Sequence, residues 1–77
     1  MTDQPTTIIL YSTLDCGLCE AVEARLQAEK IPYKYIDIVH DDALVKEYGW
    51  FIPVIQWNSE IFKSPLDLDD IITKIHN

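Results

Sequence analysis

The chain has 77 residues, 48% of them apolar, and its 13 acids outnumber its 6 bases to leave a formal charge of −7. That length allows one small domain over 1–77, able to bury about 60–65% of its unfolded surface. The apolar content excludes a disordered chain, the acidity argues against nucleic acid, and no run reaches the roughly 18 apolar residues of a membrane span.

Residues 1–6 read as a polar, loosely held arm. Met1-Thr2-Asp3-Gln4-Pro5 carries an acid and no basic stretch, so no secretory signal is expected and the reducing cytoplasm is the expected compartment. Thr7 to Ser12 reads as a strand, and its unbroken apolar centre suits a position covered on both faces. Gly17 to Lys30 reads as an amphipathic helix with Cys19, Val22 and Leu26 on one side and Glu20, Glu23 and Glu29 on the other. Asp15 is placed to cap it, and Pro32 lies just past its end. Tyr33 to Val39 is rich in aromatic and β-branched residues and reads as a second strand.

Asp41 to Tyr48 reads as a short helix, with Lys46 in its last turn and Gly49 to terminate it. Val54 to Trp57 reads as a third strand, Asn58-Ser59-Glu60 as a hairpin turn and Ile61 to Lys63 as a fourth strand. Leu68, Ile71, Ile72 and Ile75 mark a final helix with Ser64 or Asp67 as its cap. The order is β-α-β-α-β-β-α. A parallel β-α-β unit followed by an antiparallel hairpin makes an α/β domain, a four-stranded mixed sheet flanked by helices.

Cys16 and Cys19 are the only cysteines, and they fall at a strand–helix junction. At this spacing in a helix the Cα atoms lie about 5–6 Å apart, within disulfide range. A bridge that short adds little chain-entropy stabilisation, so its value is chemical. By position, Cys16 is the exposed nucleophile near the helix start and Cys19 the resolving thiol in the first turn. The helix end favours a Cys16 thiolate while Asp15, Glu20 and Glu23 oppose it, so a modest pKa depression is expected. Half a zinc site is one alternative, but His40 and His76 fit no finger or ribbon spacing, and no metal is expected. A pair of buried structural thiols is the other alternative. Pro53 starts a strand, where a missing N–H is tolerated. The backbone of Ile52 before it can accept an added substrate strand. Tyr11 and the Trp50-Phe51 pair are candidates to flank the site, against the plainer use of such aromatics as core.

Two segments carry a resemblance that covers Thr7 to His76: Tyr11-Ser12-Thr13-Leu14-Asp15-Cys16-Gly17-Leu18-Cys19 and Tyr48-Gly49-Trp50-Phe51-Ile52-Pro53-Val54. The chain resembles the thioredoxin fold in its compact glutaredoxin-like form. That resemblance implies a cis Pro53 lying against the cysteines, with Ile52 and Pro53 holding substrate beside Cys16. It implies a small thiol–disulfide oxidoreductase that reduces protein disulfides by a dithiol mechanism. A reductase or glutathione is then the electron donor, no cofactor is bound, and a monomer is expected.

The chain departs from the glutathione-using pattern at three places. Gly17-Leu18 replaces Pro-Tyr between the cysteines, no lysine precedes Cys16, and Lys63-Ser64-Pro65-Leu66 stands where a Gly-Gly pair is usual. Asp67 alone matches an acid that meets the glutathione amine. Weak glutathione binding is therefore expected. The alternative from a different class is a non-catalytic thioredoxin-fold binding module or adaptor.

Overall fold

The computed structural model describes residues 8–14 and 16–76. The N-terminal arm, Thr7 and the Asp15 cap lie outside the described residues. Among the described residues, no helix is long and apolar enough to cross a membrane.

The strand β1 (Ile8–Ser12) lies inside a four-stranded sheet of order β2-β1-β3-β4. It runs parallel to β2 (Tyr33–Asp37), from Ile8 opposite Tyr33 to Ser12 opposite Asp37. On its other edge it pairs antiparallel with β3 (Val54–Trp57), with Tyr11 opposite Val54. The strand β4 (Glu60–Phe62) closes the sheet as the second arm of a hairpin. The helix α1 (Gly17–Ala28) makes the crossover between β1 and β2, which parallel pairing requires.

Side chains alternate across β1, and so they divide the core. Ile8 and Leu10 join Ile55, Val22 and Leu26 of α1, and Ile71 and Ile72 of α3 (Leu68–His76). Tyr11 faces the other way, into a second cluster with Ile38 and Val54. Leu44 and Tyr48 of α2 (Asp42–Tyr48) pack against that cluster. The sheet is thus covered on both faces, which is why β1 reads as a near-continuous apolar run.

Several boundaries differ from the sequence expectation for local reasons. β2 stops at Asp37, because the Asp37 carboxylate accepts the Val39 N–H at 3.0 Å and turns the chain into a single 3-10 turn over Ile38–His40. The β-branched character of Ile38 and Val39 extended the strand reading too far. β4 begins one residue early, since Trp57 pairs with Glu60 and leaves Asn58-Ser59 as the loop. Asn58 takes φ 57°, a left-handed conformation that asparagine tolerates. At α3 the choice of cap falls to Asp67, whose carboxylate accepts the Asp70 N–H at 3.1 Å. Asp41 caps α2 in the same way through the Ala43 and Leu44 N–H groups.

The helix ends reverse the usual use of glycine. Gly49 ends α2 with ordinary right-handed backbone, φ −54°. Glycine is needed there for space, since a Cβ would lie 2.5 Å from the Val45 carbonyl oxygen. The left-handed residue after α1 is instead Lys30, φ 58°. Its N–H reaches the Gln27 carbonyl at 3.0 Å, and the Ile31 N–H reaches the Leu26 carbonyl at 2.9 Å. This is a Schellman ending, with buried Ile31 and Leu26 as its apolar pair.

Two tyrosines are tied down in ways that matter at high pH. The Tyr11 hydroxyl donates to Gln56 Oε1 at 2.8 Å, and its ring lies 4.9 Å from that of Tyr48. Burial first, and Tyr48 second, raise its pKa. Tyr33 donates to Glu23 at 2.7 Å and accepts from Gln27. Burial and the Glu23 bond raise its pKa also.

Three outcomes follow for equilibrium unfolding in denaturant. Leu26→Ala, which empties a fully buried site, should cost about 2–5 kcal/mol. Lys30→Gly should stabilise by about 0.5–1 kcal/mol, the left-handed penalty less the backbone entropy of glycine. A phenol whose folded pKa is raised contributes stability that is complete below the unfolded value of about 10 and is lost as pH rises through the folded value. Stability should therefore hold through neutral pH and fall above about pH 10. Tyr11→Phe should shrink that fall while costing about 1 kcal/mol at neutral pH. An unchanged alkaline limb in this variant would remove Tyr11 from the account.

Candidate active site

β1 delivers the chain to α1 through a loop of few residues, and Cys16 occupies the N-cap of that helix. Its backbone is extended, φ −106° and ψ 105°, and its Sγ accepts the Cys19 N–H at 3.3 Å. A sulfur thus fills the role that a hydroxyl or carboxylate oxygen usually takes at a helix start. The two cysteines form a disulfide, with Cα atoms 5.2 Å apart. Cys16 is half-buried, whereas Cys19 is 1% exposed on the inner side of the first turn. Cys16 is therefore partly open to solvent and Cys19 is sealed. Gly17 leaves the neighbouring surface bare, since a Cβ there would meet nothing within 4 Å.

Pro53 is buried, and the Ile52–Pro53 peptide is cis. The antiparallel register places it next to Val54, which faces Tyr11 near the end of β1. It shares a groove of about 240 Å³ with Leu18, which stands between the cysteines, and with Val22, Pro65, Leu66 and Leu68. The Ser64–Pro65 peptide is cis as well. The Ser64 N–H donates to the Phe51 carbonyl at 3.0 Å and ties the two proline loops together. Ile52 turns its side chain into the second core cluster. Among the described residues, its backbone N–H and C=O have no hydrogen-bond partner.

The structure thus brings Cys16, Cys19 and Pro53 to one end of the sheet, with the Ile52 backbone beside them. Tyr11 does not line the groove; it lies behind, held by Gln56 and Tyr48. Trp50 and Phe51 stand out from the loop before Pro53, Trp50 at 92% exposure. Leu14 and Leu18 are also exposed, so apolar surface occurs on both sides of Cys16 in the sequence. The wall formed by Pro65, Leu66 and Leu68 was not singled out from the sequence. Its one signal was the Ser64-Pro65 step in the segment that departs from Gly-Gly.

No lining residue of the groove is charged. Nearby bases are engaged elsewhere. Arg25 is held by Asp69 at 2.7 Å and Glu29 at 3.2 Å, which raise its pKa in that order. Lys63 lies over the Phe51 ring at 4.7 Å. Lys74 meets Asp70 at 3.5 Å and also lies over Phe62. His40 and His76 approach Asp37 and Glu29 at 3.9 and 3.8 Å. Among the described residues, no three His, Cys, Asp or Glu side chains gather as a metal site.

Comparison with known proteins agrees with this arrangement. The sequence profile of a family described as Glutaredoxin-like domain (DUF836) matches residues 7–76. The X-ray structure of a structural-genomics target protein from X. campestris is 30% identical, with a TM-score of 0.75 over 91% of this chain and 96% of that one. The solution NMR structure of a protein from Nitrosomonas europaea, at 24% identity, shares the fold with a TM-score of 0.76 over 96% and 98% of the two chains. Neither of these proteins is named for an activity. No curated protein matches. With a matched profile over nearly its whole length and an α/β thioredoxin-like fold, the chain belongs to the glutaredoxin-like family.

Proposed function

We propose that the protein is a thiol–disulfide oxidoreductase that reduces protein disulfides through Cys16 and Cys19. The observation that carries this reading is the asymmetry of the pair: bonded to one another at a helix start, with one cysteine partly exposed and one sealed. In the reduced protein the Cys19 N–H and the open helix end favour a Cys16 thiolate. That thiolate attacks one sulfur of the client disulfide. A Cys16–client bond forms, the client S–S bond breaks, and the second client sulfur leaves as a thiolate and takes a proton. Cys19 then loses its proton and attacks Cys16 Sγ. The Cys16–Cys19 disulfide forms, the mixed disulfide breaks, and the first client sulfur leaves. Two electrons pass from the protein dithiol to the client.

Substrate is held by the backbone of Ile52, which an extended client segment meets as an added strand. Pro53 keeps that segment against the sulfurs. Tyr11 contributes from behind, by fixing the end of β1 through Gln56. All these groups come from one chain, so a monomer suffices. No cofactor enters the exchange.

An external thiol or dithiol must then reduce the Cys16–Cys19 bond. Glutathione carries two carboxylates, and the groove offers no cation to meet them. Each missing charge-assisted hydrogen bond forfeits about 1.5–3 kcal/mol. A protein reductase is therefore the better donor, and a reducing cytoplasm the fitting compartment.

Insulin-disulfide reduction tests the scheme. Cys16→Ser should abolish it. Cys19→Ser should retain attack but stall, leaving a mixed disulfide visible by mass spectrometry. Thioredoxin reductase should support turnover better than millimolar glutathione. Full activity in Cys16→Ser would dismiss the enzyme reading and leave a binding module.

A further inference from the structure

The groove beside the cysteines is the feature that the exchange chemistry does not itself require. Its walls are Leu18 and Val22 of α1, Pro53, and the Pro65–Leu66–Leu68 stretch, and Ser64 supplies the only polar side chain. We infer that this groove is a side-chain pocket for the client: it takes one large apolar residue adjacent to the client cysteine. This inference rests on the redox reading and names the class of client.

The size of the groove supports a single side chain. About 240 Å³ lies below the roughly 300–1,000 Å³ of sites that enclose a whole small ligand. Its place supports a residue near the cysteine, because Leu18 separates Cys16 from Cys19 and Pro53 forms part of the same wall. With the client cysteine at Cys16, the residue beside it lies within reach of the groove, whose wall includes Leu18 and Pro53.

Charge excludes acids. No side chain lining the groove is charged, and Arg25, the base nearest in α1, is already engaged by Asp69 and Glu29. An acid on the client would lose hydration there and gain no partner. Exposed Trp50 stands in the Pro53 loop, which the Phe51–Ser64 bond ties to the far wall, and adds apolar surface for the rest of the segment.

Three short peptides test the pocket, each with Lys after the central residue and with Leu, Ala or Glu before it. With serine at the centre, they report binding alone. Amide shifts of Leu18, Ala21 and Leu66 should saturate with the Leu peptide and stay still with the Glu peptide. With cysteine at the centre, as symmetric disulfides, they report exchange with the pre-reduced protein. The Leu disulfide should react about 10-fold faster than the Ala one, and the Glu disulfide slowest. Ala21→Phe, which fills the groove from an exposed helix position, should bring the Leu-to-Ala ratio close to one. Equal rates across the wild-type series, or unmoved groove amides, overturn the pocket. The same amides shifting with protein concentration alone would assign the groove to a second copy and overturn it also. Saturable groove shifts with no exchange at any disulfide would instead sink the redox reading while the pocket stands.

Discussion

β1 is held by hydrogen bonds along both edges, parallel to β2 on one side and antiparallel to β3 on the other, and the site inherits its geometry from that double pairing. The antiparallel register sets Val54 against Tyr11, so Pro53 arrives where β1 gives way to the loop leading to Cys16. A slip of one residue would send Ile8 and Leu10 to the wrong face and exchange the two cores. Burial of both faces forbids that slip. Residues 37 positions apart in the sequence, Cys16 and Pro53, are thus brought to one end of the sheet by a register that hydrophobic burial enforces.

The cysteine pair uses a second constraint, the start of a helix. A helix start leaves N–H groups without intrahelical partners. Here one of them meets sulfur, so the group that satisfies the helix is also the group placed to react. Cys19, three residues on, falls on the inner side of the same turn and is sealed by it. Exposure is therefore divided between two like side chains by helical periodicity alone. The acids around α1 work against a thiolate, and the helix end works for it. What survives of that opposition is local, because the N–H lies in contact with the sulfur while Glu20 is exposed and screened.

Much of this was legible in the sequence. The period-3.6 stripes of α1 and α3, the apolar run of β1 and the bounds of β3 follow from side-chain pattern, because pattern and burial are the same physics. The misplaced ends share another cause. At Asp37 a carboxylate bonded to the backbone two residues on and stopped a strand that Ile38 and Val39 would have prolonged. At Asn58 a left-handed residue shortened the hairpin loop. At Lys30 a residue with no special preference took the left-handed place, because the Leu26–Ile31 contact outweighed its cost. Such choices depend on one hydrogen bond or one contact and leave no periodic trace. The cysteines and Pro53 were readable as motifs. The wall of Pro65, Leu66 and Leu68 was not, because it faces Leu18 only after the whole sheet has formed.

Reactivity and recognition are built on different parts of the molecule. The sulfurs sit at the junction of a central strand and a long helix, the most constrained part of the fold. In the proposed scheme the surfaces that meet a client are the loops around Trp50–Pro53 and Ser64–Leu66, joined by one backbone bond between Phe51 and Ser64. Loops tolerate change that a central strand does not. Family membership therefore speaks for the fold and for the thiol pair, and much less for the partner. In this chain those loops bring apolar side chains and acids to the place where anion-binding features would serve glutathione. Replacing charged contacts by apolar ones does more than weaken one ligand: it exposes any carboxylate that enters to desolvation without compensation. On the proposed reading, the same dithiol on the same scaffold is thereby turned toward protein segments that carry apolar residues, without any change in the chemistry at sulfur.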